Sequence, residues 1–154
     1  MTETVDARLA AAGHQLPEAL APIAAYVPTV EVGGFLHISG QVSFRDGAVV
    51  SGRLGDDMDV DAGRAAAELC GLMLLAQMKK ALGSLDRVER VVKLGVFVTS
   101  TPNFARQPEV ANGASELMQL AFGDAGRHAR SAVGVPALPR GAAVEIDAIV
   151  KVRD

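Results

Sequence analysis

His128-Ala129-Arg130-Ser131-Ala132 and Ala143-Val144-Glu145-Ile146-Asp147 are consecutive strand candidates near the C-terminus, and their reading decides the fold. The second run continues in strict alternation: Val144, Ile146, Ala148, Val150 and Val152 point one way, Glu145, Asp147, Ile149 and Lys151 the other. A short Pro-containing turn over 136–141 joins the two, which brings a guanidinium beside a carboxylate. A guanidinium that grips a carboxylate bidentately, next to a carboxylate that holds or activates water, is the minimum apparatus for chemistry on a small acid. The plain alternative is a structural ion pair of Arg130 with Glu145 or Asp147, because a lone buried charge is strongly unfavourable.

Working outward, a strand is expected over 88–100, with Val92, Leu94, Val96 and Val98 on one face and Lys93, Gly95 and Phe97 on the other. A helix over 107–122 follows, with Pro108 in its first turn. Before the strand, Asp61 is read as the cap of a long helix that Gly83 stops after Leu82. Its apolar residues (Leu69, Leu72, Met73 and Ala76, extended by Leu74, Leu75 and Met78) run so far round the axis that broad burial is expected. Upstream, a strand over 35–43 follows a Gly33-Gly34 turn, with Leu36, Ile38 and Val42 facing opposite to His37, Ser39 and Gln41. Pro22 and Pro28 bracket an extended segment, 51–59 is the expected mobile loop, and a short helix covers about 4–12.

The fold expected is α+β in one domain, 1–154, with 1–20 as an N-terminal helical extension. A single mixed sheet of about six strands carries the two main helices on one face. The free face is expected to bear His37, Ser39, Gln41, Phe97, Arg130, Glu145 and Asp147. With 49% hydrophobic and only 21% charged residues, that face is expected to be buried against further copies of the chain. A net charge of −3 offers no basic field for nucleic acid. The single cysteine, Cys70, allows no internal disulfide and suits a reducing compartment. The acidic start lacks the pattern of a signal peptide, and no apolar run is long enough to span a bilayer, so a cytoplasmic protein without membrane partners is expected. His14, His37 and Cys70 lack metal-ligand spacing and no phosphate-binding glycine fingerprint occurs, so neither metal nor cofactor is expected.

At several points the chain resembles the YjgF/RidA family of reactive intermediate imine deaminases, whose older labels include endoribonuclease L-PSP. The resemblance rests on six pieces in family order: Pro22 to Val27 with Tyr26; Ile38-Ser39-Gly40-Gln41-Val42; Val96-Phe97-Val98; Val110-Ala111-Asn112; Ala129-Arg130-Ser131; and Leu138-Pro139-Arg140-Gly141 followed by Val144-Glu145-Ile146. It implies a chorismate-mutase-like fold and a homotrimer with pockets between subunits. It also implies cofactor-free hydrolysis of 2-imino or enamino acids to 2-keto acids and ammonia. In that reading Arg130 binds the substrate carboxylate, Glu145 positions water, and Tyr26, Ser39, Gly40, Asn112 and Ala132 line the pocket.

The chain departs from the family where a common cysteine is Ala132 and a common proline is His128, which marks a divergent branch. His128 reads as an exposed loop histidine, with a pH-sensitive pocket group as the alternative. Glu145 beside Arg130 is expected to stay ionised, since a neighbouring cation lowers a carboxyl's pKa. Two rivals stand beside the deaminase: a trimer that binds small carboxylates or keto acids without turnover, and a ribonuclease. The acidic balance and the absence of a basic-aromatic stripe weigh against the ribonuclease.

Overall fold

The computed structural model describes residues 2–154, in which three helices and a five-stranded sheet form the body. The helices are α1 (Val5–Ala11), α2 (Val60–Leu82) and α3 (Gln107–Phe122). The strands are β1 (Thr29–Val32), β2 (Phe35–Val42), β3 (Phe44–Arg45), β4 (Ala48–Val49), β5 (Val88–Thr99), β6 (Ala129–Val135) and β7 (Val144–Val152). The main sheet runs β1-β2-β7-β5-β6; β5 and β6 are parallel, joined through α3, and the other pairs are antiparallel. The sheet has five strands because β3 and β4 pair only with each other. Asp46 (φ 54) and Gly47 (φ 82) close them into a tight hairpin of the kind that needs two positive φ angles. Gly33 (φ 60) and Gly34 (φ 80) make the equivalent turn between β1 and β2.

Helices and sheet meet over one apolar layer. Leu94, Val96 and Val98 of β5 and Val144, Ile146, Ala148 and Val150 of β7 pack beneath α2 and α3, as the alternation requires. The broad apolar surface of α2 is buried from Ala66 to Leu82. Its cap is Asp59 rather than Asp61: Asp59 has extended backbone and its Oδ1 accepts from the Ala62 amide at 2.8 Å, which leaves Asp61 to the first turn. The 51–59 loop is tied down. Leu54 is fully buried and exchanges backbone hydrogen bonds with Thr99 and Thr101, while Arg53 donates to the Pro136 carbonyl at 2.8 Å.

Two bulges shift the expected faces. One lies between Ile38 and Gln41 of β2, and it turns Gln41 toward the helices and Val42 away from them. The other, between Val91 and Lys93 of β5, buries Val91 in place of Val92. The 22–28 segment is a series of bends, and regular strand begins only at Thr29.

α2 and α3 approach so closely that backbone meets backbone. A side chain at Gly113 would strike the Arg64 carbonyl, and one at Gly71 would come within 2.9 Å of Leu117. Because the obstacle at Gly113 is main chain, it cannot swing aside. Gly113→Ala is therefore expected to cost about 1–3 kcal/mol or more by overpacking, seen as a lower midpoint in urea unfolding with an unchanged slope.

Candidate functional site

Residues in one transverse row of a sheet share a face, and the observed register separates the two groups expected to act together. Arg130 stands beside Leu94, which stands beside Ala148, both buried under the helices. Glu145 stands between Phe97 and Val42, on the open side. Within one protomer the guanidinium and the carboxylate lie on opposite faces of the sheet. Arg130 makes no ion pair with Glu145 or Asp147 among the described residues, and it does not belong to the open face where the alternation had set it.

Arg130 sits on the edge strand β6, and its side chain turns onto α3. Nη1 donates to Asn112 Oδ1 at 2.8 Å and to Ser115 Oγ at 3.0 Å, and Nη2 reaches the Pro108 carbonyl at 3.4 Å. These acceptors are neutral, so they orient the cation without cancelling its charge. A shallow hollow of about 280 Å³ opens over Asn112, Ser115, Gln119, His128 and Arg130. Ala132, two residues along β6, shares this side and packs on the core edge. His128 is half-buried rather than an exposed loop residue. Its Nε2 lies 2.9 Å from Ser115 Oγ and its Nδ1 lies 2.6 Å from the Gly126 carbonyl. Burial, first, and the Arg130 charge hold its pKa below the ordinary histidine value, against the opposing pull of the Gly126 hydrogen bond.

Glu145 lines a larger cavity, about 400 Å³, walled by Leu20, Pro22, Ile23, Tyr26, Pro139 and Arg140. Gly40, in the bulge, leaves room for the carboxylate: a Cβ there would sit 3.0 Å from Glu145 Oε1. The wall is held by three polar groups. Ser39 Oγ donates to the Val27 carbonyl at 2.8 Å, Gln77 Nε2 donates to the Leu20 carbonyl at 2.8 Å, and Gln77 also bonds Gln41 Oε1 at 3.3 Å. Burial and, next, the charge of Asp147 push the Glu145 carboxyl above its ordinary pKa. The expected lowering by Arg130 does not arise, because Arg130 is on the other face.

The structure thus places Tyr26, Gly40 and Glu145 in one cavity, with Ser39 pinning its wall. It places Asn112, Arg130 and, beside them, Ala132 at another site. Reading the sequence missed Ser115 and Gln77. Ser115 lies one helical turn beyond Asn112 on a face otherwise filled by Ala111, Ala114 and Met118, and Gln77 interrupts the apolar run of α2. A polar residue in such a stripe is the signal that points to each.

A family model described as "YjgF/chorismate mutase-like, putative endoribonuclease" matches residues 6–149. Protein TCP17 of Trypanosoma cruzi is 52% identical over 152 residues, covering 97% of this chain and 95% of the relative. A 2-iminobutanoate/2-iminopropanoate deaminase of Dermatophagoides farinae is 31% identical over 137 residues, covering 87% and 91%. Among solved structures, Atu1372 of Agrobacterium tumefaciens, a protein of unknown function, superposes with a TM-score of 0.90 at 47% identity, covering 96% and 92%. No helix among the described residues is long and apolar enough to cross a membrane.

A carboxyl whose pKa is raised on folding contributes stability at low pH that is lost as pH rises through the folded-state value. Glu145→Gln is therefore expected to leave the fold at least as stable at neutral pH, with a gain over wild type that vanishes below about pH 4. Asp147→Asn should shift the Glu145 midpoint downward. Thermal unfolding across pH and carboxyl ¹³C titration measure the two effects.

Proposed function

The chain belongs to the YjgF/chorismate mutase-like family, and from that premise we propose that it hydrolyses reactive 2-imino acids to 2-keto acids and ammonia at a site shared between subunits of a homotrimer. The observation that carries the reading is Arg130: a guanidinium aimed by Asn112 and Ser115, paired with no carboxylate among the described residues and open to a hollow. It is suited to a bidentate grip on a small carboxylate. The named deaminase relative supports the same chemistry.

Assembly follows from the separation of the two groups. A substrate held at Arg130 of one protomer cannot reach Glu145 of the same protomer through the sheet, so the carboxylate has to come from a neighbour. The open face is fit to be covered: Val30, Val32, Phe35 and Val133 lie exposed on it, and Ile23 and Tyr26 are exposed at its cavity. Such a patch on a free protomer marks an association surface.

The reaction asks little of the protein. The carbon of a protonated imine is already electrophilic, and fixing the carboxylate beside a held water supplies orientation. Glu145 in its ionised form takes a proton from the attacking water. Glu145 then returns that proton to the carbinolamine nitrogen. The C–N bond breaks as the hydroxyl gives up its proton and becomes the keto oxygen, and the nitrogen leaves as ammonia with the released proton, that is, as ammonium. A carboxyl whose pKa is raised toward neutrality is a better base than an ordinary one.

A second reading, carboxylate binding without turnover, draws support from Ala132, which has no thiol, and from the distance of Glu145 from Arg130 within a protomer. The decay of 2-iminopropanoate, trapped as its semicarbazone, separates the two. Wild type should exceed the spontaneous rate; Arg130→Ala should lose about 10²-fold in kcat/KM, and Glu145→Gln about 10²–10⁴-fold in kcat. Gly40→Ala should lose activity with the fold intact, by displacing the Glu145 carboxylate. No acceleration, with keto acids still raising the unfolding temperature, would establish the binding protein instead.

A further inference from the structure

Arg130 is held by a chain of hydrogen bonds that ends on His128. The Gly126 carbonyl can only accept, so His128 Nδ1, 2.6 Å away, carries a proton in every state. In the neutral ring, Nε2 accepts the Ser115 hydroxyl proton at 2.9 Å, while a lone pair of the same oxygen receives Arg130 Nη1 at 3.0 Å. When the ring gains a proton at Nε2, the hydroxyl has only to rotate. Its oxygen then accepts from both His128 and Arg130, and no donor is left facing a donor. Both protonation states therefore fit the same heavy-atom positions.

The charged groups around the ring decide what the proton responds to. On its own side are Arg127 and Arg130, with Asp124 in the 3₁₀ turn Gly123–Gly126. Glu116 of α3 is engaged by Arg64 at 2.7 Å, and Arg90 of β5 donates to the Asp124 and Arg127 carbonyls. Burial is the first cause that disfavours the charged ring, and among the nearby charges Arg130 adds to it by repulsion. Anything that neutralises Arg130 relieves that repulsion.

We propose that His128 is a proton-linked positioning residue of the Arg130 anion site, so that docking of a carboxylate on Arg130 is accompanied by proton uptake at His128. The proposal rests on the reading of Arg130 as the carboxylate anchor. By reciprocity the proton tightens the carboxylate: affinity rises as pH falls through the range in which the ring titrates. A second positive charge then stands behind the first, and Ser115 transmits it without moving either partner.

The test uses 2-oxobutanoate, a stable carboxylate probe, with the intact protein. Calorimetric titrations are run between about pH 5.5 and 7.5 in two buffers of different ionisation enthalpy. Wild type is expected to take up protons on binding and to bind about fivefold or more tighter at the acid end. His128→Asn and His128→Gln should bind near the wild-type alkaline affinity, with the proton uptake abolished. Two isosteres are used so that one remains if the other loses its thermal transition. Wild-type pH dependence in a folded His128 variant overturns the coupling and leaves the anchor intact. Lost binding at the alkaline end in both variants makes His128 a structural prop and also overturns the coupling. An Arg130→Ala protein that binds as wild type, or a wild type that never binds, overturns the anchor and the coupling with it.

Discussion

A side chain on a β-strand can serve only one face of its sheet, and that constraint governs this protein. β7 is the central strand, and its alternation sends Val144, Ile146, Ala148 and Val150 under the helices while Glu145 and Asp147 stay on the open side. β6 is in register with β5, so Arg130 shares a row with Leu94 and lies on the helical side at the sheet edge. The layers, the uncovered apolar face and the division of the polar groups all descend from that register. The hollow over Arg130 and the cavity of Glu145 are separate, so the guanidinium aimed by α3 and the carboxylate do not meet within the protomer, and the proposed assembly is the geometry that reunites them.

The two halves are built by different means. Arg130 depends on a helix: Asn112 and Ser115 are one turn apart on α3, and the close approach of α3 to α2 through Gly113 fixes where that turn stands. Glu145 depends on a bulge. The extra residue near Gly40 turns Gln41 inward onto Gln77, and that buried amide pair reaches the Leu20 carbonyl and so holds the wall of the cavity. The same bulge leaves a glycine where any side chain would press on the carboxylate.

Much of this was legible in the residues because two periodicities are strong. The alternation of β7 and the long apolar surface of α2 announced the layers, and Gly33-Gly34 announced its turn. The bulges were not legible: each is one residue of slippage, cancels within a strand or two, and leaves composition unchanged. That is why Gln41 and Val42 exchanged faces, and why Val91 took the place of Val92. The side on which Arg130 stands was hidden for a related reason. Alternation within Ala129–Val135 allows either face, and only pairing with β5, across the whole of α3 in sequence, chooses between them. His128 looked exposed because a lone polar residue before a strand usually is, and only the fold brings Ser115 to it.

The charge balance of Glu145 ties the two faces together. In the protomer, burial and Asp147 both disfavour its ionised form. Placing the guanidinium of a second copy beside it, as the proposed assembly does, would reverse the sign of that environment. The carboxylate would then gain by association what it loses by folding, so that a fold which leaves an acid poorly satisfied becomes an argument for a partner that satisfies it. The guanidinium gains likewise, because Asn112, Ser115 and Pro108 orient it but none carries a countercharge. A substrate carboxylate arriving between the two would compete with Glu145 for Arg130. The same encounter that binds the acid would loosen the pair, return the Glu145 carboxyl toward its raised pKa, and make it the stronger base while substrate is present.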